Sequence, residues 1–121
     1  FVVPGNIYVT TAKGLVSGQV GIDMLAGPSE IAILADASAK ASWLAADLLS
    51  QAEQDALASR ILICHHEQVL KDVALELKKQ LALLPRHELA AQSLKHWGAL
   101  VQVPSLELGL ELINTLAPEH L

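Results

Sequence analysis

The sequence predicts an α/β fold: a three-layer sandwich with a mostly parallel sheet and helices on both faces. Three observations carry that expectation. Short apolar runs alternate with longer stretches of helical period along the chain. The central runs, residues 30–36 and 60–64, are compact and apolar on both faces between their charged ends rather than alternating, as in strands covered on both sides. The 121 residues are 52% hydrophobic but only 3% aromatic, which suits one domain with an aliphatic core and excludes disorder.

Each element has a local reason. Pro4-Gly5-Asn6 is a turn, and Asn6 is the expected N-cap of a first helix. Tyr8, Ala12, Leu15 and Val16 give that helix its apolar stripe, although Ile7, Val9 and Thr11 also alternate like a strand; Gly18 ends it. Residues 21–24 are a short apolar segment and residues 26–29 a loop, before a buried strand over 30–36. A helix over 38–54 follows, capped by Ser38 or Ser42, with Trp43 or Leu44, Leu48 and Ala52 inward. The second strand covers 60–64. Leu70, Val73, Leu77, Leu81 and Leu84 then mark an amphipathic helix over 67–84 that Pro85 stops. Residues 86–97 form another helix, with Leu89, Ala90 and Leu94 inward and Gly98 as its C-terminal stop. A third strand spans 99–103, and Pro104-Ser105 opens a last helix over 106–116, closed by Ala117-Pro118. No repeat, low-complexity tract or linker divides the chain, so residues 1–121 read as a single domain.

Composition narrows the function classes. The formal charge of −5 includes no basic patch able to track a phosphate backbone, so no nucleic-acid partner is expected. No apolar run approaches the ~18–20 residues of a membrane span, and no basic-then-apolar leader opens the chain. A single cysteine, Cys64, forms no intrachain disulfide and fits a reducing, cytoplasmic setting. The chain does not begin with Met, and both ends read as cuts in something longer.

Several polar groups are candidates for chemistry. Gln51 and Gln54 stand three apart on one helix face, with Asp47 a turn before Gln51. Without further context that spacing describes a solvated helix end. Glu119-His120 pairs a carboxylate with an imidazole, a plausible acid–base couple, though adjacent side chains need not converge. His65 and His66 are expected to diverge in extended chain and to make a poor metal pair. Cys64 reads as a small core residue, and His87 and His96 as helix-surface residues. Ser29 lacks the G-x-S-x-G context of a hydrolase. Pro4-Gly5-Asn6 could present helix amides to an anion, but neither nucleotide fingerprint, G-x-G-x-x-G nor G-x-x-x-x-G-K-[ST], is present.

Read in order, four of these segments form a pattern. They are Pro4-Gly5-Asn6, then Gly21-Ile22-Asp23-Met24 with Ala26-Gly27-Pro28-Ser29-Glu30, then Asp47-Leu48-Leu49-Ser50-Gln51-Ala52-Glu53, and last Ala117-Pro118-Glu119-His120-Leu121. The ordered set resembles the histidinol dehydrogenase family over essentially the whole chain. The resemblance implies a zinc-dependent homodimer that oxidises L-histidinol to L-histidinaldehyde and then to L-histidine, reducing two NAD. It implies Rossmann-like lobes, with residues 1–121 as the central part of one. Carried over residue by residue, it makes Asn6 an NAD contact, Ser29 a substrate contact and Gln51 a zinc and substrate ligand. Glu119 becomes the base that activates water in the second oxidation. His120 becomes the general acid–base for the hydroxyl proton and a further substrate contact.

Two positions depart from the family pattern. The family motif reads QAEHD and its His is a zinc ligand; here Gln54 stands in that place, and an amide oxygen is the poorer ligand. Weak or absent zinc binding through Gln54 is the expectation. Val3 replaces the glycine before Pro-Gly-Asn and crowds the cofactor approach. The remaining zinc ligands, an Asp and a His, fall beyond Leu121 in the family, as does the main NAD-binding lobe beyond this chain. The leading expectation is therefore a piece of a histidinol dehydrogenase that is inactive alone. One alternative is a related dehydrogenase of another small polyol or amino alcohol. The other is a diverged, non-catalytic binding or assembly module that associates through exposed apolar surface.

Overall fold

The computed structural model describes residues 7–25, 27, 29–54 and 57–121. Its elements run α1 (Ile7–Val16), β1 (Glu30–Ala35), α2 (Ala41–Gln54), β2 (Ser59–Cys64), α3 (Glu67–Leu81), α4 (His87–Trp97), β3 (Gly98–Gln102) and α5 (Leu106–Leu116). The strands form one sheet in the order β1-β2-β3, with both pairings parallel. The α/β expectation is met.

Strand side chains alternate between faces, and the two halves of the core follow from that. Ile33, Ala35, Leu62 and Cys64 meet Leu44 and Leu48 of α2 and Val69, Leu70 and Val73 of α3. The intervening residues Leu34, Ile61, Ile63 and Val101 meet Leu112 and Ile113 of α5. Helices α2, α3 and α4 contact one another on the first face, while α5 lies over β1 and β2 on the second. Leu62 and Ile63 are fully buried on opposite sides. At about 1.5–3 kcal/mol for each such side chain, β2 is the strand on which both layers are built.

Several expectations need correction. The third strand, expected over 99–103, runs Gly98–Gln102, and four of its five residues are exposed, because α5 passes over β1 and β2 instead. Neither Ser38 nor Ser42 caps α2. The helix starts at Ala41, where the amides of Trp43 and Leu44 donate to Lys40 O, and the Asp36 carboxylate holds Ser38 instead. Leu44 is the inward residue; Trp43 is exposed, with Lys40 Nζ 4.3 Å from its ring centre. α3 stops at Leu81, since the Leu83 and Leu84 amides bond back three residues in tight turns and take Leu84 out of the stripe. Gly98 does follow α4, but with extended backbone (φ −94°, ψ 141°). The glycine is needed for close approach, because a Cβ there would lie 2.5 Å from Leu94 O. The helix expected after Asn6 forms, yet its apolar stripe is exposed at Tyr8, Leu15 and Val16. Its buried residue is Lys13, whose Nζ donates to Asp23 Oδ1 at 2.6 Å.

α5 matches its expected span. Ser105 Oγ accepts from Leu108 N at 3.4 Å, and Ala117 adopts a left-handed φ of 46° that turns the chain back to the sheet. There His120 N donates to Glu30 O and Ala32 N donates to His120 O, both at 3.0 Å. This parallel bridge between Ile31 and His120 begins a further strand on the open edge of β1.

Candidate active site

The parallel register lines up Gly98, Arg60, Ile31 and His120 in one row across the amino-terminal edge of the sheet. Ser29 directly precedes β1, and its carbonyl accepts from Ser59 N at 3.1 Å. α2 carries the chain from the carboxyl end of β1 back to the start of β2, so its last turn, with Gln51, arrives at the same edge. Four of the expected site residues, Ser29, Gln51, Glu119 and His120, are thereby brought to one end of the fold.

Their chemistry differs. Glu119 Oε1 and His120 Nε2 lie 3.9 Å apart, both half-exposed, so adjacent side chains do converge here. Gln51 is held at its backbone, where its carbonyl accepts from Arg60 Nη2 at 3.2 Å. Its side-chain Oε1 is buried and has no hydrogen-bond partner among the described residues. Buried polar atoms are nearly always paired, and an orphaned acceptor costs about 1–3 kcal/mol. The arrangement offers a carboxylate, an imidazole and an acceptor awaiting a donor. Asn6 and Val3 lie outside the described residues. Gln54 is the last residue of α2, and its side chain lies outside them too. Asp47, one turn before Gln51, is exposed.

The other candidates sit at the opposite, carboxyl edge. His65 and His66 do not diverge: the chain bends as it leaves β2 for α3, and the rings lie 4.2 Å apart at a tilt of 55°. No group of three or more His, Cys, Asp or Glu side chains able to hold a metal occurs among the described residues. Cys64 is a buried core residue, as expected. Hydrogen bonds from the Ser38 hydroxyl and then the Ser38 amide hold the Asp36 carboxyl below its usual range. Bonds to its own amide and then to Ser105 do the same for Glu107.

Arg60 is the residue that sequence reasoning passed over. A charged residue heading an otherwise apolar strand, six positions after a polar helix end, was the available signal.

A parallel sheet layered with helices on both faces, with an acid–base pair and an unpaired acceptor at one edge, defines an α/β sandwich of the kind that forms enzyme lobes. The comparisons give it a family. The histidinol dehydrogenase family model matches residues 1–121. The chain is 56% identical over 118 residues to histidinol dehydrogenase of Moorella thermoacetica and 52% identical over 118 residues to that of Prochlorococcus marinus. A crystal structure of histidinol dehydrogenase from Elizabethkingia anophelis superposes with a TM-score of 0.90 at 40% identity, covering 98% of this chain and 28% of that one. The chain belongs to the histidinol dehydrogenase family. It spans 28% of the length of the Moorella relative and 27% of the Prochlorococcus one, with 98% of its own residues matched in both. Among the described residues, no helix is long and apolar enough to cross a membrane.

Proposed function

We propose that residues 1–121 form the central part of one Rossmann-like lobe of an enzyme that oxidises L-histidinol to L-histidine in two NAD-dependent steps. The observation that carries this reading is the orphaned Gln51 Oε1 on the same sheet edge as the Glu119–His120 pair. Family membership supplies the reaction. On this reading the whole enzyme is a cytoplasmic homodimer.

His120 Nε2 takes the hydroxyl proton of histidinol as the carbon–hydrogen bond breaks. Glu119 then removes a proton from the water that adds to the aldehyde, which readies the hydrate for the second oxidation. Both groups are open enough for a substrate to reach. Gln51 Oε1 accepts an N–H from the substrate and Ser29 contacts it. NAD supplies the hydride acceptor, with Asn6 as its contact in this chain. Zinc is a different matter. The donors in this chain do not by themselves complete its site: Gln51 would be its ligand here, residue 54 carries an amide where the resembled motif has an imidazole, and the family's Asp and His ligands fall beyond Leu121. No step here runs through the metal, and the Gln54 amide weakens its binding.

The test uses the full encoded chain that contains these residues. L-Histidinol should drive formation of two NADH per molecule, and His120→Gln should lower kcat by about 10²–10⁴-fold. Gln54→His should tighten zinc binding in a metal titration. Equal turnover of unrelated amino alcohols or polyols, or an unaffected His120→Gln variant, overturns the reading.

A further inference from the structure

We infer that Arg60 is a positioning residue for this site: its guanidinium anchors the last turn of α2 and thereby sets where Gln51 presents its side-chain oxygen. The part of this inference that concerns substrate rests on the proposed function; the part that concerns α2 does not.

Arg60 is the second residue of β2 and only 1% exposed. Its side chain shares a small pocket with Leu48 of α2, Leu77 of α3 and Leu94 of α4. Removing a guanidinium from water into such surroundings is costly, and an apolar side chain of similar length suits the same space. Part of the compensation lies at the helix end. An α-helix leaves its last four carbonyls without intrahelical partners and carries partial negative charge there. α2 ends at Gln54, so the Gln51 carbonyl is the first of those four, and α2 has no basic residue of its own in its last turn. Arg60 supplies the cation from the neighbouring strand, with Nη2 at 3.2 Å from Gln51 O. The same residue stands in the register row of Ile31 and His120. One side chain therefore ties the helix that carries Gln51 to the sheet row that carries His120. Gln51 is fixed at its carbonyl while its Oε1 stays without a partner.

The test compares Arg60→Met and Arg60→Lys in the full encoded chain, reading amide hydrogen exchange and steady-state kinetics with L-histidinol. In Arg60→Met, exchange at the amides of residues 51–54 should quicken about tenfold, the size expected when a charged hydrogen bond is lost. Exchange at Leu62 and Ile63 should stay unchanged. KM should rise about tenfold with kcat nearly constant, and Arg60→Lys should recover part of both effects. Unchanged exchange and KM in a folded Arg60→Met protein would sink the inference, as would quickening spread uniformly over β2. If Arg60→Met does not fold, Arg60→Lys decides by the same readouts against the parent. Absence of any histidinol turnover in the parent defeats the proposed function, while the exchange comparison still decides the role of Arg60.

Discussion

Both ends of the sheet carry polar side chains and use them in different ways. At the carboxyl edge, Asp36 accepts from the amide and hydroxyl of Ser38, and Ser105 caps α5. His65 and His66 turn their rings toward each other, although His65 Nδ1 is buried without a partner. At the amino edge, Gln51 Oε1 is buried and unpaired among the described residues, and the Glu119–His120 couple faces solvent. Open parallel sheets usually bind ligands at the carboxyl ends of their strands, where the chain changes its direction of winding. That change occurs here between β1 and the returning His120 segment, yet the carboxyl-edge carboxylates already serve turns and caps. An orphaned polar atom therefore occurs at each end, Gln51 Oε1 and His65 Nδ1, and what separates the ends is the acid–base couple that stands open at the amino edge, against the fold rule. That couple agrees with the residues that the family pattern marks.

Among the variants that set the two edges against each other, Gln51→Met has the largest expected effect. It removes a buried acceptor that bonds nothing in the described structure and leaves the Gln51 carbonyl on Arg60. Removing an unpaired buried polar atom is neutral or stabilising, by up to about 1–3 kcal/mol. The thermal midpoint should hold or rise, while KM for L-histidinol should increase by about tenfold or more. A lowered midpoint would mean that Oε1 serves the fold, and the contrast between the two edges would collapse.

Why was the amino edge legible in part? The apolar runs at β1 and β2 and the capped α5 carry strong local signals, and the structure keeps their spans within a residue or so. Gln51, Glu119 and His120 stood out because they are polar groups at element ends in a family order. Arg60 did not, because its role depends on which helix end lies beside β2, and that is a tertiary fact. The exposed stripe of α1 and the open face of β3 escaped for the same reason. Periodicity reports that a face is apolar, not that the fold covers it. The turn at His65 likewise brings together two rings that extended geometry would separate.

A smaller effect should come from the carboxyl edge. Ser105→Ala removes the side-chain cap of α5, at about 0.5–2 kcal/mol of stability. Denaturant unfolding should show that loss, with KM and kcat for L-histidinol unchanged. A kinetic defect without a loss of stability would place chemistry at the carboxyl edge and reverse the comparison.

The smallest expected effect is pH-dependent. The Ser38 hydroxyl and amide hold the Asp36 carboxyl below its ordinary value of 3.8. A group whose pKa is depressed by folding stabilises the native state where it is ionised in both states, above that ordinary value. Its contribution fades as pH falls through the lower, folded value. Asn at this position keeps an acceptor oxygen for Ser38 but loses the charge. Asp36→Asn should therefore unfold slightly more easily than the parent at neutral pH, and the gap should close below about pH 3.8 as the parent's carboxylate is protonated. Asp36 is exposed, so solvent keeps the effect small. Gln51→Met, which removes no titrating group, should run parallel to the parent over the same range. If its acid profile bent instead, the orphaned amide would be coupled to a carboxylate, and the two edges would not be electrostatically separate.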